Sequence, residues 1–169
     1  MLSRTTRVVI LHSLKTGQSR LCEQTDHIAD FVDPDFIIAQ SLHLSLDEPG
    51  GIAWLDDQAL VVCDTGHRRL VVVDRAGAVR REIELPQAWS DYYSRPQATS
   101  LGRDVVVVSD TPGKALWLVR GGSVSRLALD AEGIAPTGVD YDAASRSLVV
   151  GDLSGRVWWV SVEEIGGVP

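Results

Sequence analysis

One pattern occurs three times in this sequence, and the repetition restricts the possible folds more than any other feature does. The three segments read "VVCDTGHRRLVVVD", "VVSDTPGKALWLVR" and "VVGDLSGRVWWVSV". Repeats with a period of about 20 to 50 residues indicate an architecture built from similar units, each of which packs on its neighbours. The segments align on three aspartates that are 46 and 42 residues apart, and a proline precedes each by 14 to 16 residues: Asp64, Asp110 and Asp152, after Pro49, Pro96 and Pro136.

Each unit is expected to form a small antiparallel sheet. After its proline comes a short segment such as "GGIAWL", then two apolar β-rich runs such as "ALVVCD" and "RLVVVD". In the first two units a glycine-containing turn leads to a more polar fourth run, "AVRREIEL" or "SVSRLAL". Continuous apolar runs indicate strands that are buried on both faces, whereas the charged fourth run is typical of an exposed edge. Four-stranded sheets at this period predict an all-β fold of β-propeller blades.

Composition fits a folded globular chain and argues against two classes of partner. Of its 169 residues, 44% are hydrophobic and 23% are charged, which is ordinary for a globular protein. The net charge of -7 disfavours nucleic acid and anionic membranes, because both attract a basic face. The first apolar run is too short for a secretion signal, and no run approaches the roughly 20 apolar residues of a membrane span. A cytoplasmic location is therefore expected.

The first unit resembles the repeat of the NHL-repeat propellers. "PGGIAWLDDQALVVCDTGHRRLVVVD" follows that repeat from Pro49 to Asp74. His67 stands where the family usually has Asn, Arg68 stands where it has His, and Arg69 matches its Arg. The other two units keep the proline, the aspartate and the strand pattern, so the resemblance covers residues 49–162. It implies a six-bladed propeller that often serves as a noncatalytic binding module.

The chain is predicted to hold about three to three and a half blades, too few for an ordinary ring of at least four. Residues 49–95 are blade 1, 96–135 blade 2, and 136–169 blade 3, which lacks its outer strand. Residues 1–48 read as a hairpin, an acidic connection and one more strand, which we interpret as the outer part of an incomplete blade. We expect a homodimer in which two chains join head to tail and complete the ring. The alternative is a piece of a split propeller that needs a different partner chain.

The repeated aspartates are predicted to be structural. An Asp at the end of a strand can accept hydrogen bonds from backbone N–H groups two or three residues on, and so fix the turn. A scaffold residue recurs in every unit, whereas a catalytic group is normally unique. Asp64, Asp110 and Asp152 are therefore expected to hold turns, and no catalytic residue is assigned.

Candidate binding residues come from the parts that the units do not share. His67 and Arg68 occur in the first turn only and could serve as metal ligand, anion contact or general base. The connection from Pro86 to Pro96 combines aromatic residues with an arginine, as binding loops often do. The alternative is that this connection packs over the edge of the ring or fills the interface between the two chains of the dimer. These side chains are predicted to share one mouth of the ring: His67, Arg68, Trp89, Tyr92, Tyr93 and Arg95.

We predict a noncatalytic propeller that binds a small-molecule or protein ligand and acts as a homo-oligomer, with neither cofactor nor metal. The alternative is a metal-dependent hydrolase or lyase, because six-bladed relatives such as gluconolactonases and streptogramin lyases act at the ring mouth. In the lactonases Glu and Asn hold a divalent cation. This sequence contains no Asn, which removes the usual ligand set.

Overall fold

The computed structural model of the chain describes residues 5–13, 19–24, 36–86, 96–102, 104–127, 129 and 133–165. Within these ranges it contains fourteen strands and one 3₁₀-helix, Val162–Ile165. No helix among the described residues has the length and apolar character needed to cross a membrane. In chain order the strands are β1 Thr5–Ser13, β2 Ser19–Gln24, β3 Phe36–Ser45, β4 Pro49–Trp54, β5 Ala59–Asp64, β6 Arg69–Asp74, β7 Val79–Glu84, β8 Ala98–Gly102, β9 Val105–Asp110, β10 Ala115–Arg120, β11 Ser123–Leu127, β12 Pro136–Asp142, β13 Ser147–Asp152 and β14 Val157–Ser161.

The strands form four antiparallel sheets. Sheet 1 has the order β4-β5-β6-β7 and sheet 2 the order β8-β9-β10-β11, so each is a simple meander of four strands. Sheet 3 has the order β12-β13-β14, with three strands among the described residues. The predicted strand pattern of the three units is confirmed, including the four-stranded form of the first two.

The N-terminal sheet differs from the other three in its strand order. Its β1 and β2 pair as the predicted hairpin, and residues 14–18 between them lie outside the described residues. Strand β3 pairs with β1 and not with β2, so the order is β2-β1-β3. This sheet is therefore not a fragment of a simple meander, although β3 leads directly into the first strand of sheet 1.

The sheets stack face to face, and the alternation of side chains along their central strands explains how. In β5, Leu60 and Val62 pack against Leu42, Leu44 and Leu46, which lie on and just after β3. The intervening residues of β5 belong to a second apolar cluster, shared with sheet 2: Val61 and Cys63, against Val106 and Val108. Because both faces of β5 are covered, every residue of this strand is buried.

Sheet 2 repeats this arrangement one step further along the stack. Val106 and Val108 of β9 face sheet 1, whereas Val105 and Val107 join a cluster with Leu148 and Val150 of sheet 3. The outer strands β7 and β11 are mostly exposed or half-buried, as their charged sequences predict. The order along the stack is therefore N-terminal sheet, sheet 1, sheet 2, sheet 3.

The first strands of the units lie next to one another along the stack. The Gly51 N–H donates to the carbonyl of Pro96, just before β8, at 2.5 Å. The Thr99 hydroxyl of β8 donates to the Asp140 carboxylate of β12 at 3.2 Å. Sequential sheets whose first strands are neighbours and whose last strands diverge are the arrangement of propeller blades. The fold is thus an all-β partial β-propeller.

Candidate functional site

The three repeated aspartates end equivalent strands and lie at one edge of the stack. Strands β5, β9 and β13 all run toward this edge, and each ends at its aspartate. All three side chains are buried. The Gly66 N–H donates to the Asp47 carbonyl, and the Leu153 N–H donates to the Ala135 carbonyl. The turns therefore contact the connections that lead into their own units, at the edge that we call the turn face.

Asp64 is held by three donors. Its Oδ1 accepts from the Asp47 N–H at 2.7 Å. Its Oδ2 lies 2.9 Å from His67 Nδ1 and accepts from Arg69 Nε at 2.8 Å. Arg69 also pairs with Glu82 of β7 at 2.7 Å. The bond to Asp64 is the main reason that the Arg69 pKa is raised above its ordinary value, which keeps this guanidinium charged.

Asp110 and Asp152 share a contact that the first unit lacks. The indole N–H of Trp117 donates to Asp110 at 2.9 Å, and that of Trp158 donates to Asp152 at 3.0 Å. The hydrogen-bonded register places both tryptophans at the position that Val71 occupies in β6. The two tryptophans are not recognisable as equivalent from the sequence, because the third turn is one residue shorter than the second.

The remaining partners of these two aspartates come from their own turns. The Gly113 N–H donates to Asp110 at 2.9 Å. Asp152 accepts from the N–H and hydroxyl of Ser154 and from the N–H and Nε of Arg156. The Ser154 hydroxyl is the leading cause that lowers the Asp152 pKa well below its usual range. These bonds are of the kind that a turn-fixing role requires, and that role stays a prediction.

His67 and Arg68 project from the first turn. The His67 side chain is 49% exposed. Because an ionised carboxylate only accepts hydrogen bonds, the contact with Asp64 assigns the ring hydrogen to Nδ1. Nε2 then has no partner among the described residues. Arg68 is exposed and has a φ of 56°, in the left-handed region that is costly for a residue with a side chain.

Lys114 occupies the position in the second turn that Arg68 occupies in the first. Each is the fourth residue after its aspartate, each is exposed, and the φ of Lys114 is 48°. In the shorter third turn the left-handed residue is Gly155, with a φ of 82°. The turn face thus carries two exposed basic residues at matched positions. Lys114 does not stand out in the sequence, because nothing in "DTPGKAL" indicates its backbone conformation.

Four of the sequence-predicted site residues lie outside the described residues: Trp89, Tyr92, Tyr93 and Arg95. The two ends of their connection are described. At its start the Leu85 N–H donates to the Arg68 carbonyl at 2.9 Å, and at its end the Pro96 carbonyl accepts from Gly51. The connection therefore leaves sheet 1 directly beside Arg68.

The described residues do not supply the cation site that the lactonase resemblance implies. No three His, Cys, Asp or Glu side chains converge in a metal-binding group in the described part of the chain. The sequence also lacks the Asn that the lactonases use. The residues that the structure describes therefore do not fit the divalent cation of the lactonases.

Comparison with known proteins gives a likeness of fold only. No protein-family model matches the sequence, and no curated protein matches it. A catalytically inactive variant of virginiamycin B lyase from Staphylococcus aureus, solved with quinupristin, is similar with a TM-score of 0.51 and 12% identity. The match covers 93% of this chain and 56% of the lyase chain, so this chain spans little more than half of that protein's length.

Two further solved structures are similar over smaller parts of this chain. The computationally designed Ika4 protein matches 71% of this chain and 96% of its own, with 13% identity and a TM-score of 0.43. A streptogramin B lyase matches 70% of this chain and 56% of its own, with 10% identity and a TM-score of 0.29. Of these likenesses, the one to virginiamycin B lyase agrees with the stacked sheets of this chain at the level of the fold.

Proposed function

We propose that this protein is a noncatalytic propeller module that binds a ligand or protein partner at the turn face and acts as a homo-oligomer. The observation that carries this proposal is that the first turn combines a buried side chain with exposed polar ones. Asp64 is completely buried and holds the turn, whereas His67 and Arg68 stand exposed on it. A fixed turn with free polar side chains is suited to recognition.

The hydrogen bonds of the aspartates support the noncatalytic part of the proposal. A general base needs a carboxylate that substrate can reach and that can take up a proton near neutral pH. Asp64, Asp110 and Asp152 are buried and accept from two or more protein donors each. Their carboxylates are occupied by the protein itself.

The exposed basic side chains indicate which chemical groups the partner should present. Arg68 and Lys114 stand on the same face of a chain whose net charge is -7. A local basic site on an acidic protein attracts an anionic group while the rest of the surface repels it. A left-handed conformation costs roughly 1 kcal/mol for a residue with a side chain, and such strain is often retained where it positions a functional group. The partner is therefore expected to present carboxylate or phosphate groups.

The aromatic connection belongs to the same proposed surface. The connection begins at Leu85, beside Arg68, and Trp89, Tyr92, Tyr93 and Arg95 follow four to ten residues further along the chain. Aromatic side chains next to an arginine provide the apolar contact area that most binding sites need. Replacing Trp89, Tyr92 and Tyr93 with Ala should weaken binding and leave the oligomer intact.

Titration with inorganic phosphate and with citrate, followed by amide chemical shifts, tests the proposal. Shifts are expected in the first and second turns, and Arg68→Gln should weaken the binding of citrate about tenfold, the effect of losing one hydrogen bond to a charged group. Arg146→Gln is the matched control, because Arg146 is also exposed and also has a positive φ, of 51°, but lies at the opposite edge of sheet 3. Equal binding by both variants would contradict the proposal.

A hydrolase or lyase is the second candidate, and one contact favours it. Asp64 orients the His67 ring through Nδ1, an arrangement that prepares Nε2 to act as a general base. The likeness to virginiamycin B lyase supports this candidate at the level of the fold. Conversion of quinupristin or of a panel of lactones, followed by liquid chromatography, should then be abolished by His67→Gln. Loss of turnover with a chelator would add a metal to the mechanism.

A further inference from the structure

The outermost surface of sheet 3 is apolar and exposed. Its strands β13 and β14 present Val149, Gly151, Val157 and Trp159 on the side away from sheet 2, a set that we call the outward face. Val157 is 54% exposed and Trp159 is 65% exposed. Their strand neighbours Trp158 and Val160 point the other way and pack on the cluster shared with sheet 2. Exposed tryptophan and valine on a sheet face are unusual in a folded chain, and they indicate a contact surface.

The same positions are buried in the two preceding sheets. Register pairs Gly151 with Val157 and Val149 with Trp159. Counted from the repeated aspartates, the corresponding pairs are buried in sheet 1, where sheet 2 covers them, and in sheet 2, where sheet 3 covers them. These pairs are Cys63 with Leu70 and Val61 with Val72, then Ser109 with Leu116 and Val107 with Leu118.

The first strands give a second, independent indication. Gly51 and Gly138 both stand two residues after the repeat proline, in β4 and β12. A Cβ on Gly51 would lie 2.5 Å from the backbone nitrogen of Ala98, because the next unit fits closely there. A Cβ on Gly138 would meet nothing within 4 Å. On β12, β13 and β14, sheet 3 thus repeats the kind of surface that sheet 1 and sheet 2 each present to the sheet that follows.

We propose that a second copy of this chain covers the outward face of sheet 3, with its N-terminal sheet as the element that docks. The inference deepens the homo-oligomer of the proposed function, on which it rests, by naming the surface. The N-terminal sheet is the other end of the stack, where sheet 1 covers one side only. Docking one end of the stack on the other end of a second copy repeats the packing that already joins the four sheets.

Two copies that dock in this way can form one closed ring. Head-to-tail contacts between identical chains close into a ring when the rotation fits, and a ring of two has two equal interfaces. Both outward faces are then buried.

Solution mass tests the interface directly. The chain mass is 18.3 kDa, and the wild-type protein at micromolar concentration should show twice that value by light scattering. Val157→Glu and Trp159→Glu should each lower the mass to that of one chain. The unchanged circular dichroism of these variants would show that they fold, as expected for side chains that are exposed in the single chain.

Val79→Glu is the matched control. Val79 lies on the outer strand of sheet 1 and is 53% exposed, almost the same as Val157, but it is not on the outward face of sheet 3. This variant should keep the mass of two chains. A wild-type mass of one chain, or a Trp159→Glu variant that still forms the dimer, would overturn the proposal.

Hydrogen exchange identifies the docking element and separates this proposal from the binding proposal. Amides of β1, β2 and β14 should exchange more slowly in the wild type than in Trp159→Glu, and equal exchange of β1 and β2 would overturn docking by the N-terminal sheet. Citrate binding that depends on Arg68 in a protein with the mass of one chain would overturn the interface and leave the binding site. A dimer that does not bind citrate would overturn the binding proposal and leave the interface.

Discussion

One hydrogen bond from an indole N–H connects the third strand of sheet 2 to its turn. Trp117 donates to Asp110, which is buried, so this bond is shielded from water. Trp117→Phe keeps an aromatic ring but removes the donor. We expect the free energy of unfolding to fall by about 1 to 2 kcal/mol, the usual contribution of a hydrogen bond to a charged acceptor. Urea titration monitored by circular dichroism measures this change.

A double-mutant cycle separates the bond from the loss of ring volume. Asp110→Ala and the double variant complete the cycle with Trp117→Phe. If the two single effects add without an interaction energy, the bond contributes nothing and the structural role of Asp110 depends on the Gly113 N–H alone.

Asp152 should make stability depend on pH in the acidic range. Its pKa is lowered in the folded protein, first by the Ser154 hydroxyl, whereas an unfolded Asp has a pKa of about 3.9. Because the folded value is the lower one, the stabilisation is complete above the unfolded pKa and is lost as the pH falls toward the folded pKa. Asp152→Asn should be less stable at pH 7, and its stability should change less between pH 6 and pH 3.

Urea unfolding at several pH values tests this dependence. Asp57→Asn, at an exposed turn position, is the control and should keep the wild-type profile. An unchanged acid slope in Asp152→Asn would show that other carboxylates cause the acid sensitivity.

The partners of the aspartates were only partly predictable from sequence. Their recurrence at strand ends predicted a turn-fixing role, since Asp side chains commonly bond nearby N–H groups. The bonds from Trp117 and Trp158 depend on the strand register and on the length of each turn, which the aligned letters do not show. The left-handed conformation of Arg68 was equally hidden, because the sequence has no glycine at that position.

Strand β4 approaches the next unit so closely at residue 51 that only glycine fits at this position. Gly51 donates its N–H to the Pro96 carbonyl, and a Cβ would overlap the backbone of Gln97 and Ala98. Gly51→Ala should therefore lower the free energy of unfolding by about 1 to 3 kcal/mol, the usual cost of forcing extra atoms into a packed site. Thermal unfolding provides the measurement.

Gly138→Ala is the matched control for this substitution, with both glycine variants measured in a Trp159→Glu background so that no second copy covers sheet 3. It adds the same methyl group at the same position of β12, where nothing in the chain lies within 4 Å. Two variants of equal stability would mean that sheet 1 and sheet 2 can move apart at no cost, contrary to the close packing of their first strands.

The strands themselves were predictable, but the pairing of the N-terminal ones was not. Apolar runs bounded by glycine, proline and aspartate predict strands well, because the turns between them need those residues. Sequence does not decide whether β3 pairs with β1 or with β2. A third strand could continue the meander beside β2 or return beside β1, and the eleven residues between β2 and β3 are long enough for either.

The N-terminal sheet stabilises the whole stack through the apolar residues of and just after β3. Leu44 is buried against sheet 1, in the cluster with Leu60 and Val62. Leu44→Ala should lower the free energy of unfolding by about 2 to 5 kcal/mol, as is usual when a buried leucine is truncated. Leu153→Ala, at a position that is 73% exposed, is the control and should change stability by less than about 0.5 kcal/mol.

A small effect of Leu44→Ala would show that the N-terminal sheet is not firmly attached to sheet 1. In a linear stack each sheet contacts only its neighbours, so stability is approximately a sum of sheet and interface contributions. Loss of one interface would then release an end sheet while the others stay folded. Urea curves monitored at several wavelengths would show such a transition as separate steps.

The complete burial of β5 has a consequence for how the strand finds its alignment. In a strand with one apolar face, a shift by one residue places polar side chains in the core, and this penalty fixes the register. Both faces of β5 are apolar, so the same shift exchanges Val61 and Val62 between two cores at little cost. The shift would, however, carry Asp64 away from its three donors. The repeated aspartate therefore distinguishes two alignments that hydrophobic burial alone would treat as equal.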